Sequence, residues 1–153
     1  MARVFIVYDT KYGNTKLVAE KIAEGIRELK GIETEVSDVK EVDFKKLADA
    51  DAILIGAPNH MGSPSRAIMK FIDGLGKLEL KAKQAAVFDT YMGRDFEKAA
   101  KKMENKLREK VPSLKLMTPG LSIRVDDAQG PITEGELPKA IEFGKKIATQ
   151  LKP

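Results

Sequence analysis

Apolar runs alternate with helical periods from end to end of this chain, which predicts a doubly wound α/β domain built on a five-stranded parallel sheet. Three observations carry that prediction. Several apolar runs are continuous rather than alternating, as strands buried on both faces require. Each is followed by a segment with apolar residues three to four apart, which is the helix–strand alternation of a parallel sheet. The succession βαβαβαβαβα holds five strands, which suits the strand order 2-1-3-4-5.

The first strand is Val4-Phe5-Ile6-Val7-Tyr8. A helix opens at Asn14 and carries Val18, Ile22, Ile26 and Leu29 until Gly31 stops it. Ile32, Thr34 and Val36 alternate with charged or polar neighbours, the pattern of an edge strand, and a short helix spans Phe44 to Ala48. Ala52-Ile53-Leu54-Ile55 is the third strand. Ser63-Pro64 then reads as cap and first residue of a helix bearing Ile68, Phe71, Ile72 and Leu75. Ala85-Ala86-Val87-Phe88 is the fourth strand, and Phe96, Ala99, Ala100, Met103 and Leu107 line the helix after it. Leu114, Leu116, Leu121, Ile123 and Val125 form a fifth strand interrupted at Pro119-Gly120, and a last helix carries Leu137, Ile141, Ile147, Ala148 and Leu151.

Composition narrows the function. The 153 residues, 42 % apolar and 33 % charged, fit one domain, 1–153, with a core of its own. There is no cysteine and a single histidine, so disulfides, iron–sulfur clusters and imidazole-based metal sites are not expected. Redox chemistry would need an organic cofactor. The net charge is +4, but lysine and arginine interleave with glutamate, as in Glu97/Lys101 and Glu104/Arg108, so a solvated mixed-charge surface is expected and no nucleic-acid partner. No apolar run is long enough for a membrane span, and the first one is too short for a signal-peptide core. The expectation is a cytoplasmic protein with no membrane contact.

In open α/β sheets, ligands bind beyond the carboxyl ends of the strands where the strand order reverses. That singles out the loops after the first, third and fourth strands. Asp9-Thr10-Lys11-Tyr12-Gly13-Asn14-Thr15 runs directly into a helix, whose free N–H groups favour an anion. Thr10, Asn14 and Thr15 add side-chain donors, and Gly13 allows a tight curl. Capping would explain one such residue, but not three donors and a glycine so close together. Neither the dinucleotide glycine fingerprint nor a P-loop ending is present, and Gly74-Leu75-Gly76 follows a helix rather than a strand. The first loop therefore reads as a phosphate cradle.

These residues resemble the phosphate loop of the flavodoxin family, whose pattern is Ser/Thr-x-x-Gly-Asn-Thr. The start Tyr8-Asp9-Thr10, with an aromatic before the glycine, is closest to the flavodoxin-like domain of A-type flavoproteins, and the likeness extends along essentially the whole chain. It implies flavin mononucleotide (FMN) as cofactor, with Thr10, Lys11, Tyr12, Gly13, Asn14 and Thr15 around the phosphate. The second loop, Gly56-Ala57-Pro58-Asn59-His60-Met61-Gly62-Ser63, resembles the family's ring-covering loop, so Pro58, Asn59, His60, Met61 and Gly62 are implied at the ring, the Gly62 carbonyl facing flavin N5. His60 taken alone reads equally well as a surface histidine. The third loop resembles Phe-Gly-Ser-Tyr-Gly-Trp-Gly and implies Asp89, Thr90, Tyr91, Met92 and Gly93. It departs from that pattern in carrying Asp89 where glycine is usual, and the chain has no tryptophan, so either Tyr91 or Met92 packs the ring or one face of the flavin is less covered.

The family implies an electron carrier rather than an enzyme, exchanging low-potential electrons with transient redox partners of ferredoxin or reductase type. No catalytic triad or carboxylate pair is found, and Asp126-Asp127 reads as a solvated turn rather than a metal site. Lys11 and Arg94 are placed beside the exposed flavin edge, where a basic chain would favour an acidic partner. The alternatives are an FMN-dependent reductase of quinone-type acceptors and a module that has lost FMN and only binds a protein.

Overall fold

A computed structural model describes residues 2–151. The strands are β1 (Ala2–Tyr8), β2 (Ile32–Asp38), β3 (Ala52–Pro58), β4 (Gln84–Tyr91), β5 (Lys115–Leu116) and β6 (Leu121–Arg124). The helices are α1 (Asn14–Arg27), α2 (Phe44–Ala48), α3 (Arg66–Leu75), α4 (Lys98–Lys110) and α5 (Leu137–Leu151). All strand pairs are parallel, in the order β2-β1-β3-β4-β5, with β6 also paired to β4. The interrupted fifth strand is thus two short pieces on the same edge, β5 against Gln84–Ala85 and β6 against Phe88–Tyr91. Pro119 has no N–H to give a ladder and lies between them.

Side-chain alternation along the strands divides the core in two. Phe5, Val7, Ile53, Ile55 and Val87 pack with Ile68, Ile72 and Leu75 of α3 and Met103 and Leu107 of α4. Val4, Ile6, Leu54 and Phe88 pack on the other face with Val18, Ile22 and Ile26 of α1 and Ile147 of α5. Helices α1 and α5 cross closely at a pair of glycines. A Cβ on Gly25 would lie 2.0 Å from the Ile141 carbonyl oxygen, and one on Gly144 would lie 2.1 Å from that of Ile22.

Three local expectations change. The third helix does not begin at Ser63-Pro64: its cap is Ser65, whose Oγ accepts from the Ile68 N–H at 3.5 Å. Ser63 is engaged in a turn with His60 instead. Phe96 lies outside α4 and is 55 % exposed, because the chain approaches the helix through Glu97 at φ 61°. Glu104 is buried rather than solvated. Its Oε2 has no hydrogen-bond partner among the described residues and burial raises its carboxyl above the ordinary value, whereas Glu97 does pair with Lys101 at 3.7 Å.

Candidate functional site

An open cleft of about 170 Å³ lies at the carboxyl edge of the sheet, between the ends of β1, β3, β4 and β6. It is lined by Thr10, Lys11, Tyr12, Asn14 and Thr15 after β1, by Pro58, Asn59 and His60 around the end of β3, by Thr90, Tyr91 and Met92 at the end of β4, and by Val125 and Ala128 after β6. Eleven of the sixteen residues named from sequence line it. The others are Gly13, Met61, Gly62, Asp89 and Gly93.

The β1–α1 loop builds the polar end. Thr10 Oγ1 accepts from the Gly13 N–H at 2.9 Å, and Gly13 turns the chain at φ 94°. The first bond of the helix runs from the Leu17 N–H to the Gly13 carbonyl at 3.1 Å. No side chain caps α1, and the N–H groups of Asn14, Thr15 and Lys16 have no acceptor among the described residues. Asn14 and Thr15 line the cleft, so the positive end of the helix dipole lies at its wall. The Thr15 hydroxyl is buried and meets the Thr90 hydroxyl at 3.1 Å, joining the first loop to the third.

The two other loops form a slot beside it. Asn59 is fixed on three sides. Its backbone N–H and Nδ2 both donate to the Thr90 carbonyl at 3.0 Å, and its Oδ1 accepts from the Ala99 N–H at 3.0 Å. Beyond it, His60 and Ser63 exchange backbone bonds at 2.7 and 3.1 Å around a reverse turn. Met61 and Gly62 hold its centre at φ 53° and 80°, the positive values such a turn demands. The turn carries Met61 outward, so the side chain is 99 % exposed and stands at the rim rather than on the lining. Opposite, Tyr91 lines the slot with Phe96 edge-on at 5.3 Å between ring centroids. Met92 and Tyr12 are about half exposed at the mouth, and Gly93 turns the chain away at φ 64°.

Asp89 requires a correction. It is fully buried, and its carboxylate points behind the cleft wall, where Oδ2 accepts from the Ala100 N–H at 2.9 Å and Oδ1 from the Ser122 hydroxyl. It is therefore not a lining residue. The strand pleat explains this: Thr90 faces the cleft, so its neighbour faces α4. Burial pushes the Asp89 carboxyl up to about 6, against the lowering effect of its hydrogen bonds.

Sequence reasoning missed Val125, Ala128 and the turn behind them. A Cβ on Gly130 would lie 2.8 Å from Asn14 Oδ1, so a glycine there lets the β6–α5 loop close on the first loop. The Gly130-Pro131 turn signal directly after the fifth strand was the available clue. Asp126 and Asp127 lie in this loop, where Asp126 accepts from Thr133 Oγ1 at 2.7 Å and Asp127 from the Ala128 N–H at 2.8 Å.

The donor set and shape fit a group with an anionic end and a flat ring. Unpaired helix N–H groups and hydroxyls suit a phosphate, and a slot flanked by Tyr91, Pro58 and Met92 suits an aromatic system.

Several known proteins are similar to this chain. A flavodoxin of Aquifex aeolicus is 38 % identical over 96 residues, 61 % of this chain and 52 % of that protein. An NAD(P)H dehydrogenase (quinone) of Trichlorobacter lovleyi is 28 % identical over 104 residues, 52 % of this chain and 51 % of that protein. The matches thus span about half the length of these curated relatives. Among solved structures, a flavodoxin from the domain Archaea superposes with a TM-score of 0.84 at 28 % identity, covering 99 % of both chains. The family model described as a flavodoxin domain matches residues 5–122, more than half of the chain, and the chain belongs to that family.

Proposed function

We propose that the cleft binds FMN and that the protein carries electrons between transient redox partners. The uncapped start of α1 carries the reading, since three backbone donors with no acceptor among the described residues lie at the wall where the phosphate would sit. Thr10, Asn14 and Thr15 would hold the phosphate with them. Pro58, Asn59, His60, Thr90, Tyr91 and Met92 would flank the ring, with Met61 and Gly62 at its rim. Bound FMN supplies one- or two-electron chemistry. The chain's own contribution is to grip, orient and partly desolvate it. Pairing the Thr15 and Thr90 hydroxyls keeps the phosphate and ring loops in register.

Titration of the purified protein tests the reading. FMN should bind far more tightly than riboflavin, which lacks the phosphate; equal affinities would remove the phosphate from the first loop. The partners fit the class of small redox proteins, and the net charge of +4 favours acidic ones. Electron transfer to such a partner should slow with added salt, and stopped-flow rates insensitive to salt would exclude charge steering. A second reading, FMN-dependent reduction of quinone-type acceptors, is favoured by the quinone-reductase relative and by the open cleft. Steady-state turnover with NAD(P)H and a quinone separates the two.

A further inference from the structure

Asp89 and Thr90 are neighbours on β4 but serve opposite faces. The Thr90 hydroxyl meets Thr15 at the cleft, while the Asp89 carboxylate lies behind it with no exposure at all. No cation pairs with it among the described residues. Its partners are the Ala100 N–H and the Ser122 hydroxyl. Burial raises its carboxyl to about 6, so at neutral pH it is still largely ionised and can only accept. Of the charged groups around it, Glu97 before α4 acts against the ionised form, and Lys101 pairs with Glu97 at 3.7 Å. Strand β6 contributes the neutral Ser122.

An unpaired buried carboxylate is costly unless its oxygens are well satisfied. The two partners of Asp89 lie on different elements around the cleft. Ala100 lies in the first turn of α4, beside Ala99, whose N–H donates to Asn59 Oδ1 in the loop after β3, and Ser122 is on β6, which leads into Val125. We propose that Asp89 is a positioning residue for the flavin ring, its buried carboxylate pinning the start of α4 to strand β6, and through Ala99 and Asn59 steadying the loop after β3, so that the slot keeps a single width. The ring part of this rests on the FMN reading, whereas the pinning does not.

The test uses Asp89→Ala, Asp89→Asn and Ser122→Ala in the full chain. Amide hydrogen exchange at Ala99 and Ala100 is followed without flavin, and riboflavin and FMN affinities are measured by titration. Asp89→Ala should speed Ala100 exchange and weaken both flavins by about tenfold, the scale of one lost charge-assisted hydrogen bond. The ratio of FMN to riboflavin affinity should stay constant, because the phosphate cradle is untouched. Asp89→Asn should restore most of both, since its amide oxygen can still accept from Ala100 while its amide nitrogen donates to Ser122. Ser122→Ala, which opens no large cavity, should fall between and carries the test if Asp89→Ala does not fold. Wild-type riboflavin affinity in both Asp89→Ala and Ser122→Ala overturns the proposal. So does an asparagine variant as weak as the alanine one, because charge rather than position would then be at work. If the unaltered protein binds no flavin, the FMN reading fails, while the exchange rates still judge the pinning.

Discussion

Helices α1 and α4 both begin at the carboxyl edge of the sheet, and their first turns are completed in opposite ways. In α1 the chain enters through Gly13, no side chain caps the helix, and the N–H groups of Asn14, Thr15 and Lys16 have no acceptor among the described residues. In α4 every corresponding donor is used. The Glu97 N–H meets Ser122 Oγ at 3.0 Å, that of Lys98 the Asp95 carbonyl at 3.0 Å, that of Ala99 the Asn59 Oδ1 at 3.0 Å, and that of Ala100 the Asp89 carboxylate at 2.9 Å. A helix start left unsatisfied at a cleft retains its capacity for an external anion. One filled from the sheet behind it has spent that capacity on holding loops together. The same backbone feature is thus left open in one place and serves architecture in the other.

The largest effect expected from this contrast is on stability against pH, and it belongs to α4. Asp89 titrates near 6 in the folded protein, against an ordinary 3.8. The folded state therefore takes up this proton more readily than the unfolded chain. The resulting stabilisation is complete below about pH 4 and is lost as pH rises through about 6, amounting to about 3 kcal/mol by neutral pH. Glu104, also raised by burial, adds a slope of the same sign. Urea unfolding of Asp89→Asn should show a flatter profile between pH 4 and 7 than the parent. Parallel profiles would mean that Asp89 does not change its proton in that window.

A smaller effect belongs to the open helix start. Thr15→Ala should weaken FMN by about 1–3 kcal/mol, the range for a hydrogen bond to a charged group. Riboflavin affinity should hardly move, since the loss is confined to the phosphate. Equal weakening of both ligands in the titration would place Thr15 at the ring through its contact with Thr90 instead.

The smallest effect sharpens the comparison with a helix capped in the ordinary way. Ser65 caps α3 through a long 3.5 Å bond to the Ile68 N–H. Ser65→Ala should cost about 0.5–1 kcal/mol of stability and leave FMN affinity unchanged. A change in FMN affinity as large as that of Thr15→Ala would show that the open start of α1 is not special among the helix termini.

Much of this was legible in sequence because it rests on short-range regularities. Continuous apolar runs such as Ile53-Leu54-Ile55 suit strands covered on both faces, and in the fold Ile53 and Ile55 pack on one face of the sheet and Leu54 on the other. The cleft lining was legible in Thr10 to Thr15 for the same reason, since a loop running into a helix is local. Asp89 was misplaced as a lining residue because a motif aligned on a loop ignores the pleat of the strand that leads into it. Phe96 and Ser63 were drawn into helices by apolar spacing and cap chemistry, although Glu97 and the His60–Ser63 turn delay both starts.

The sequence by itself determined the class of fold and singled out the sheet edge at which the open cleft lies, because side-chain periodicity and chain reversal are properties of neighbouring residues. Only the tertiary structure decided which helix start stays open, that Asp89 turns inward to Ala100 and Ser122, and that Gly130 brings a fourth loop against Asn14. Those outcomes depend on which groups meet across 11, 33 and over a hundred residues of chain, and separations of that kind leave no local pattern in the sequence.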